Sequence, residues 1–133
     1  MNQSEALQNP RVIVIQKLYG NHLNRESEIT FPKHRYKKFI KDVVNGTIER
    51  KELIQNFIYK ELKNDINENK TELMIKLMIM AATYEFMFMH KTPVKVVINE
   101  YLKVADFFVQ ESQKGFLNAI LEKVSKVSRE ENE

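Results

Sequence analysis

Three histidines are the residues of this 133-residue chain best suited to proton transfer or metal binding, and their spacing supports neither. His22, His34 and His90 fall in separate segments, with no HxxxH, HExxH or Cys/His pattern around them, so no three-ligand set converges. Surface or half-buried imidazole is the reading that remains, and no metal ligand is expected. Cysteine is absent, which removes disulfides, thiolate clusters and cysteine nucleophiles and suits a reducing, cytoplasmic setting. Two carboxylate groupings stand out, Tyr84-Glu85 and Asn99-Glu100-Tyr101. Glu85 lies inside a long apolar run, where a lone carboxylate is better placed to hydrogen-bond internally than to act as a general acid. With no nucleophile, base and orienter in view, the sequence points away from an enzyme, with no catalytic residue and no cofactor.

Polyanion binding is the chemistry that the charged residues favour, because phosphates need cations and unstacked bases need flat rings. Lys33 to Lys41 reads KHRYKKFIK, five positive charges with no acid among them. Over Lys33 to Lys63, nine basic residues face four acidic ones, a balance of +5 in a chain whose total is +3. The competing reading of this run is a solvated helix face. The Met-rich stretch Leu77 to Met89 is likewise open to two readings, an adaptable partner groove or methionines filling a core.

Helices must position these residues. Three glycines and three prolines leave few tight hairpin turns and no glycine-rich phosphate cradle. Hydrophobic residues at 43% and charged ones at 29% match a folded globular chain of one domain, residues 1–133. Pro10 precedes an apolar pattern at Val12, Ile15, Leu18, Tyr19, His22 and Leu23, which predicts a first helix ending near Asn24. A second carries Tyr36, Phe39, Ile40, Val43 and Val44 and should stop at Asn45-Gly46. Thr47 is then expected to cap a third, with Glu49 in its first turn and Leu53, Ile54, Phe57, Ile58 and Leu62 buried.

Between Leu73 and Met89, 14 of 17 residues are apolar or aromatic, which predicts a central, buried fourth helix. Lys76 and Glu85 interrupt it, each costing about 3 kcal/mol at mid-bilayer, so a membrane span is not expected. Nor is a signal segment, since Val12 to Ile15 is too short an apolar core. Thr92-Pro93 reads as cap and first residue of a fifth helix, with Val94, Val97, Ile98, Tyr101, Leu102 and Ala105 on one stripe. The last runs from Ser112 or Lys114 to Val127, burying Phe116 or Leu117 with Ile120, Leu121, Val124 and Val127. The expected fold is an all-α bundle of two packed three-helix groups, at about 5–65 and 69–127. Polar residues from Asp65 to Asn69 divide them, and a frayed acidic tail follows over 128–133.

The last third resembles the C-terminal signature of NusB, a bacterial transcription antitermination family. TPVKVVINEYLKVADFF followed by FLNAILEKVSKV carries the pattern at Pro93, Val96, Ile98, Asn99, Glu100, Phe116, Asn118 and Leu121. Upstream, ATYEF (Ala82 to Phe86) is similar to the family's A-x-YEL, and IQKLYGNHLN (Ile15 to Asn24) to its first helix. The likeness spans nearly the whole chain, densely from Ala82 and thinly between Asn24 and Lys70.

This resemblance implies an all-α protein that binds the boxA element of single-stranded nascent RNA together with NusE, a small-subunit ribosomal protein. That pair joins NusA, NusG and RNA polymerase in termination-resistant complexes, chiefly on ribosomal RNA operons, and no reaction is catalysed. Carried over, the RNA surface comprises Arg11 and Tyr19 on the first helix and Phe108, Ser112 and Phe116 around the last. Arg11 and neighbouring Lys17 would meet phosphate, Lys114 would add a cation, rings would support bases, and Ser112 would bond a base edge. Core packing is the alternative for Phe108 and Phe116. The sequence departs from the family at the first helix, where one cation, Arg11, stands in place of several arginines. It departs again in the fourth helix, where Ile75 and Met80 replace a partner-facing Glu and an Arg and only Glu72 lies nearby to substitute. Two readings follow: a NusB whose RNA contacts have moved toward Lys33 to Lys41 and Lys114, or a divergent adaptor or homodimer that associates through its apolar fourth helix.

Overall fold

Asn9 turns the chain between its first two helices. In the computed structural model, which describes residues 2–65 and 71–130, α1 (Gln3–Gln8) ends with the Asn9 N–H donating to the Glu5 and Ala6 carbonyls. The Asn9 side chain accepts from the Arg11 and Val12 N–H groups and so starts α2 (Pro10–Leu23). Pro10 suits the first helical position, where its missing N–H would have no intrahelical partner. The sequence assigns no element to α1, because six residues with one buried side chain, Ala6, show no apolar period. Along α2 the buried face is Arg11 to Ile15 and Leu18. Tyr19, His22 and Leu23, expected on that face, are exposed at its last turn.

The second helix does not stop at Gly46. α3 runs Lys37–Glu49, and Gly46 is an ordinary helical residue over which the Tyr84 ring lies, so closely that an added Cβ would overlap it. Close approach, rather than a left-handed turn, is why glycine stands there. Thr47 is consequently a buried residue inside α3 and caps nothing, and Glu49 ends this helix instead of opening the next. Arg50 alone separates α3 from α4 (Lys51–Leu62), its guanidinium 4.6 Å from the Phe88 ring centre. In α4, Ile54 and Leu62 are buried, Phe57 and Ile58 half-buried, and Leu53 is 51% exposed against expectation.

α5 (Leu73–Phe88) is the central helix, with ten of its sixteen residues buried. It packs on α2, α3, α4, α6 and α7. The methionine-rich stretch is thus mainly core, and the self-association face expected of this helix is covered by its neighbours. α6 (Val94–Phe108) starts one residue later than the Thr92-Pro93 reading, with Pro93 at the cap position and no side-chain cap bond. Its stripe of Val97, Ile98, Tyr101 and Ala105 is buried as expected, joined by Val104.

α7 spans Glu111–Glu130 and extends past the expected stop at Val127. Arg129 explains the extension: its guanidinium donates to the carbonyls of Phe86 (2.9 Å), Met89 (3.3 Å) and Glu85 (3.4 Å), the open end of α5. The tail through Glu130 is therefore helical rather than frayed, while 131–133 and most of the expected boundary, 66–69, lie outside the described residues. Of the pair offered for burial, Leu117 is enclosed and Phe116 is 38% exposed. All seven helices among the described residues enclose one apolar core, and none is long and apolar enough to cross a membrane.

Candidate nucleic-acid interface

Arg11, the cation that opens α2, points into the bundle. Its Nε and Nη2 donate to the two carboxylate oxygens of Glu85 at 3.0 and 2.7 Å, and the residue is 8% exposed. The guanidinium stacks 4.8 Å from the Phe39 ring centre and 5.7 Å from that of Tyr101, whose hydroxyl donates to Glu85 at 2.5 Å. Burial works against the Arg11 charge, but the hydrogen bonds and field of Glu85 more than offset it and raise its pKa above the usual value. Burial, followed by the neighbouring Glu85 charge, pushes the Tyr101 hydroxyl well above its ordinary range. This unit confirms Glu85 as an internally bonded carboxylate and corrects the reading of Arg11. A bidentate, enclosed guanidinium is a core group here, not an open phosphate contact.

The cations that do face solvent lie next door. His34 Nε2 bonds the Gln8 carbonyl at 3.0 Å, and its Nδ1 accepts from the Tyr36 N–H at 2.9 Å. These two contacts suit a ring that donates from Nε2 and accepts at Nδ1. This contact and the Arg11–Phe39 stack lay the basic run against the start of α2. Lys33, Arg35, Lys37, Lys38 and Lys41 are all exposed, and none pairs with a carboxylate among the described residues. Tyr36, 47% exposed, presents its ring in the same run with the Arg35 guanidinium 5.3 Å from its centre. Lys41 lies 5.9 Å from the Phe31 ring.

The remaining expected RNA residues are dispersed. Lys17 is half-buried beside a shallow depression lined by Gln16, Asn24 and Ser27. Tyr19 is 37% exposed. At the α6–α7 corner, Phe108 is half-buried and meets Phe107 edge to face, their centres 4.9 Å apart, while Ser112 and Phe116 are exposed. Lys114 is tied to Asp106 at 2.6 Å and Glu111 at 3.8 Å. Its hydrogen bond to Asp106 raises its pKa and keeps it charged, but that charge is locally cancelled.

Among the partner-facing expectations, Ile75 is 1% exposed and can face no partner in this fold. The continuous apolar run of α5 carries too weak a period to show which residues reach the surface, so the sequence could not place Ile75 on the core side. Met80 is half-buried in a cleft. Glu72 is exposed and accepts from Gln113 Nε2 at 2.7 Å, linking the starts of α5 and α7. Sequence reasoning missed Arg129 and the cleft cations Arg25 and Lys51, because elements far apart in sequence bring their surroundings together.

Known proteins share this fold. The structure resembles that of NusB from T. maritima, with a TM-score of 0.77 and 22% identity, covering 90% of this chain and 89% of that one. The chain is 26% identical over 121 residues to the transcription antitermination protein NusB of Rickettsia massiliae, covering 85% of this chain and 75% of that protein. It is 27% identical over 120 residues to the same-named protein of Rickettsia felis, covering 84% and 74%. The NusB family model matches residues 3–126, and the chain belongs to the NusB family.

Proposed function

We propose that this chain is a non-catalytic, RNA-binding factor of transcription antitermination that holds boxA-type RNA beside NusE in the cytoplasm. Through that pair it joins NusA, NusG and RNA polymerase on ribosomal RNA operons. Family membership supports the antitermination role. The single observation that carries the RNA reading is the run Lys33 to Lys41, with five solvent-facing cations and an exposed Tyr36 ring. It lies against the start of α2, where Arg11 has been drawn into the core. The phosphate contacts expected of the first helix pass to the neighbouring α3 side of the same corner. Tyr19, Phe108 and Phe116 offer partly exposed rings to bases, and Ser112 a hydroxyl to a base edge. On the protein side, Glu72 and Met80 are the candidate NusE contacts.

Anisotropy titration of boxA RNA against a scrambled strand, with and without NusE, tests the reading. Lys37→Glu with Lys38→Glu should weaken binding and reduce the slope of log affinity against log salt by about 0.7 for each phosphate no longer neutralised. Equal affinity for both strands with NusE present would remove the proposal.

A further inference from the structure

A second surface lies on the other side of α3, and it is built differently. A cleft of ≈ 280 Å³ opens where α2, α3, α4 and α5 meet. Its floor is aliphatic, with Leu18, Ile48, Ile58, Leu77 and Met80. Around the floor stand Arg25 just past the end of α2, Lys51 at the start of α4, Lys76 in α5 and the His22 imidazole, and among the described residues no carboxylate lines the cleft. Arg25 and Lys51 pair with no acid among the described residues. Thr47, 2% exposed, reaches the same cleft with a buried hydroxyl that has no hydrogen-bond partner.

Three properties select the occupant. The charge of the described lining residues is of one sign, with Arg25 and Lys51 unpaired among them, so the occupant is acidic. The floor is apolar, so the occupant carries aliphatic or aromatic side chains. The cations stand on separate elements around the floor, which matches carboxylates spread along a chain better than one anionic group. Among the described residues no Phe, Tyr or Trp lines the cleft and its one ring is the His22 imidazole; a single small plane over an aliphatic floor suits apolar side chains better than a run of unstacked bases. We infer that this cleft docks an acidic amphipathic helix of a protein partner. The helix would place its apolar residues on the floor and its carboxylates against Arg25 and Lys51. This site stands apart from the Lys33 to Lys41 surface and does not depend on boxA recognition, although it shares Met80 with the NusE contacts proposed above.

The probe is a fluorescein-labelled helical peptide with leucines at i, i+3 and i+4 spacing and glutamates elsewhere. A control peptide replaces the leucines with serine. The intact chain should bind the first and not the second. Arg25→Glu with Lys51→Glu, both on the cleft edge, should weaken binding roughly tenfold or more, with an unchanged circular dichroism spectrum showing that the fold survives. Lys37→Glu with Lys38→Glu should leave peptide binding as it was. Equal binding of both peptides would reduce the effect to net charge and overturn the proposal, as would indifference to the Arg25 and Lys51 reversals. Competitive displacement of the peptide by boxA RNA would assign the cleft to the RNA path and overturn it equally.

Discussion

Removing Glu85 leaves the Arg11 guanidinium enclosed beside Phe39 and Tyr101 with no counter-charge, and leaves the Tyr101 hydroxyl without its acceptor. Glu85→Ala should lower stability by about 3–5 kcal/mol in urea unfolding, the range for breaking a buried pair from one side. Arg11→Met combined with Glu85→Leu and Tyr101→Phe should recover most of that loss, because the pair's desolvation and the orphaned Tyr101 hydroxyl disappear together. Tyr84 supplies a pH signature. Burial and its bond to Asp42 Oδ1 at 2.6 Å push its hydroxyl from 10.0 to about 12. Below pH 10 both folded and unfolded tyrosine keep the proton, and stability is unaffected. Above it the unfolded chain ionises first, so stability falls as pH rises toward about 12. Tyr84→Phe should flatten that alkaline decline when unfolding midpoints are compared across the window. Glu85 was readable as structural from its apolar surroundings alone. That its partner is Arg11, 74 positions away, is a tertiary fact to which no local spacing points.

Glycines separate what a helix needs from what its neighbours need. A Cβ at Gly20 or Gly115 meets nothing within 4 Å, whereas at Gly46 it meets the Tyr84 ring. Gly20→Ala and Gly115→Ala should therefore each stabilise by up to about 1 kcal/mol, from helix propensity. Gly46→Ala should destabilise by about 1–3 kcal/mol, from overpacking. Thermal melts of the three variants would settle the contrast, and a stable Gly46→Ala would contradict the packing described. The periods of α2, α6 and α7 were legible because each buries a stripe, and α5 was legible as an unbroken apolar run rather than as a period. The α3–α4 junction was not. Asn45-Gly46 has the composition of a helix stop, and only the distant ring over Gly46 shows why the helix continues.

Charge placement decides what the whole molecule presents to partners. The mild excess of +3 conveys little, because Arg11 and Lys114 are cancelled while Lys33 to Lys41 stay open. The sequence located that open run but could not show that the single arginine at the start of α2 is withdrawn from solvent, since inward and outward arginines look alike in a chain. Expected RNA residues on α2 and at the α6–α7 corner were likewise assigned by likeness, and their exposure depends on packing no spacing reveals. Helix α5, surrounded by five others, offers no broad face to a second copy. Light scattering over a range of concentrations should report a mass near 15.8 kDa, and a concentration-dependent doubling would contradict that packing. Arg129 reaches back across 43 positions to the Phe86 carbonyl. During synthesis the central helix therefore emerges well before the side chain that finishes its far end, and the C-terminal half settles only after the last turn has cleared the ribosome.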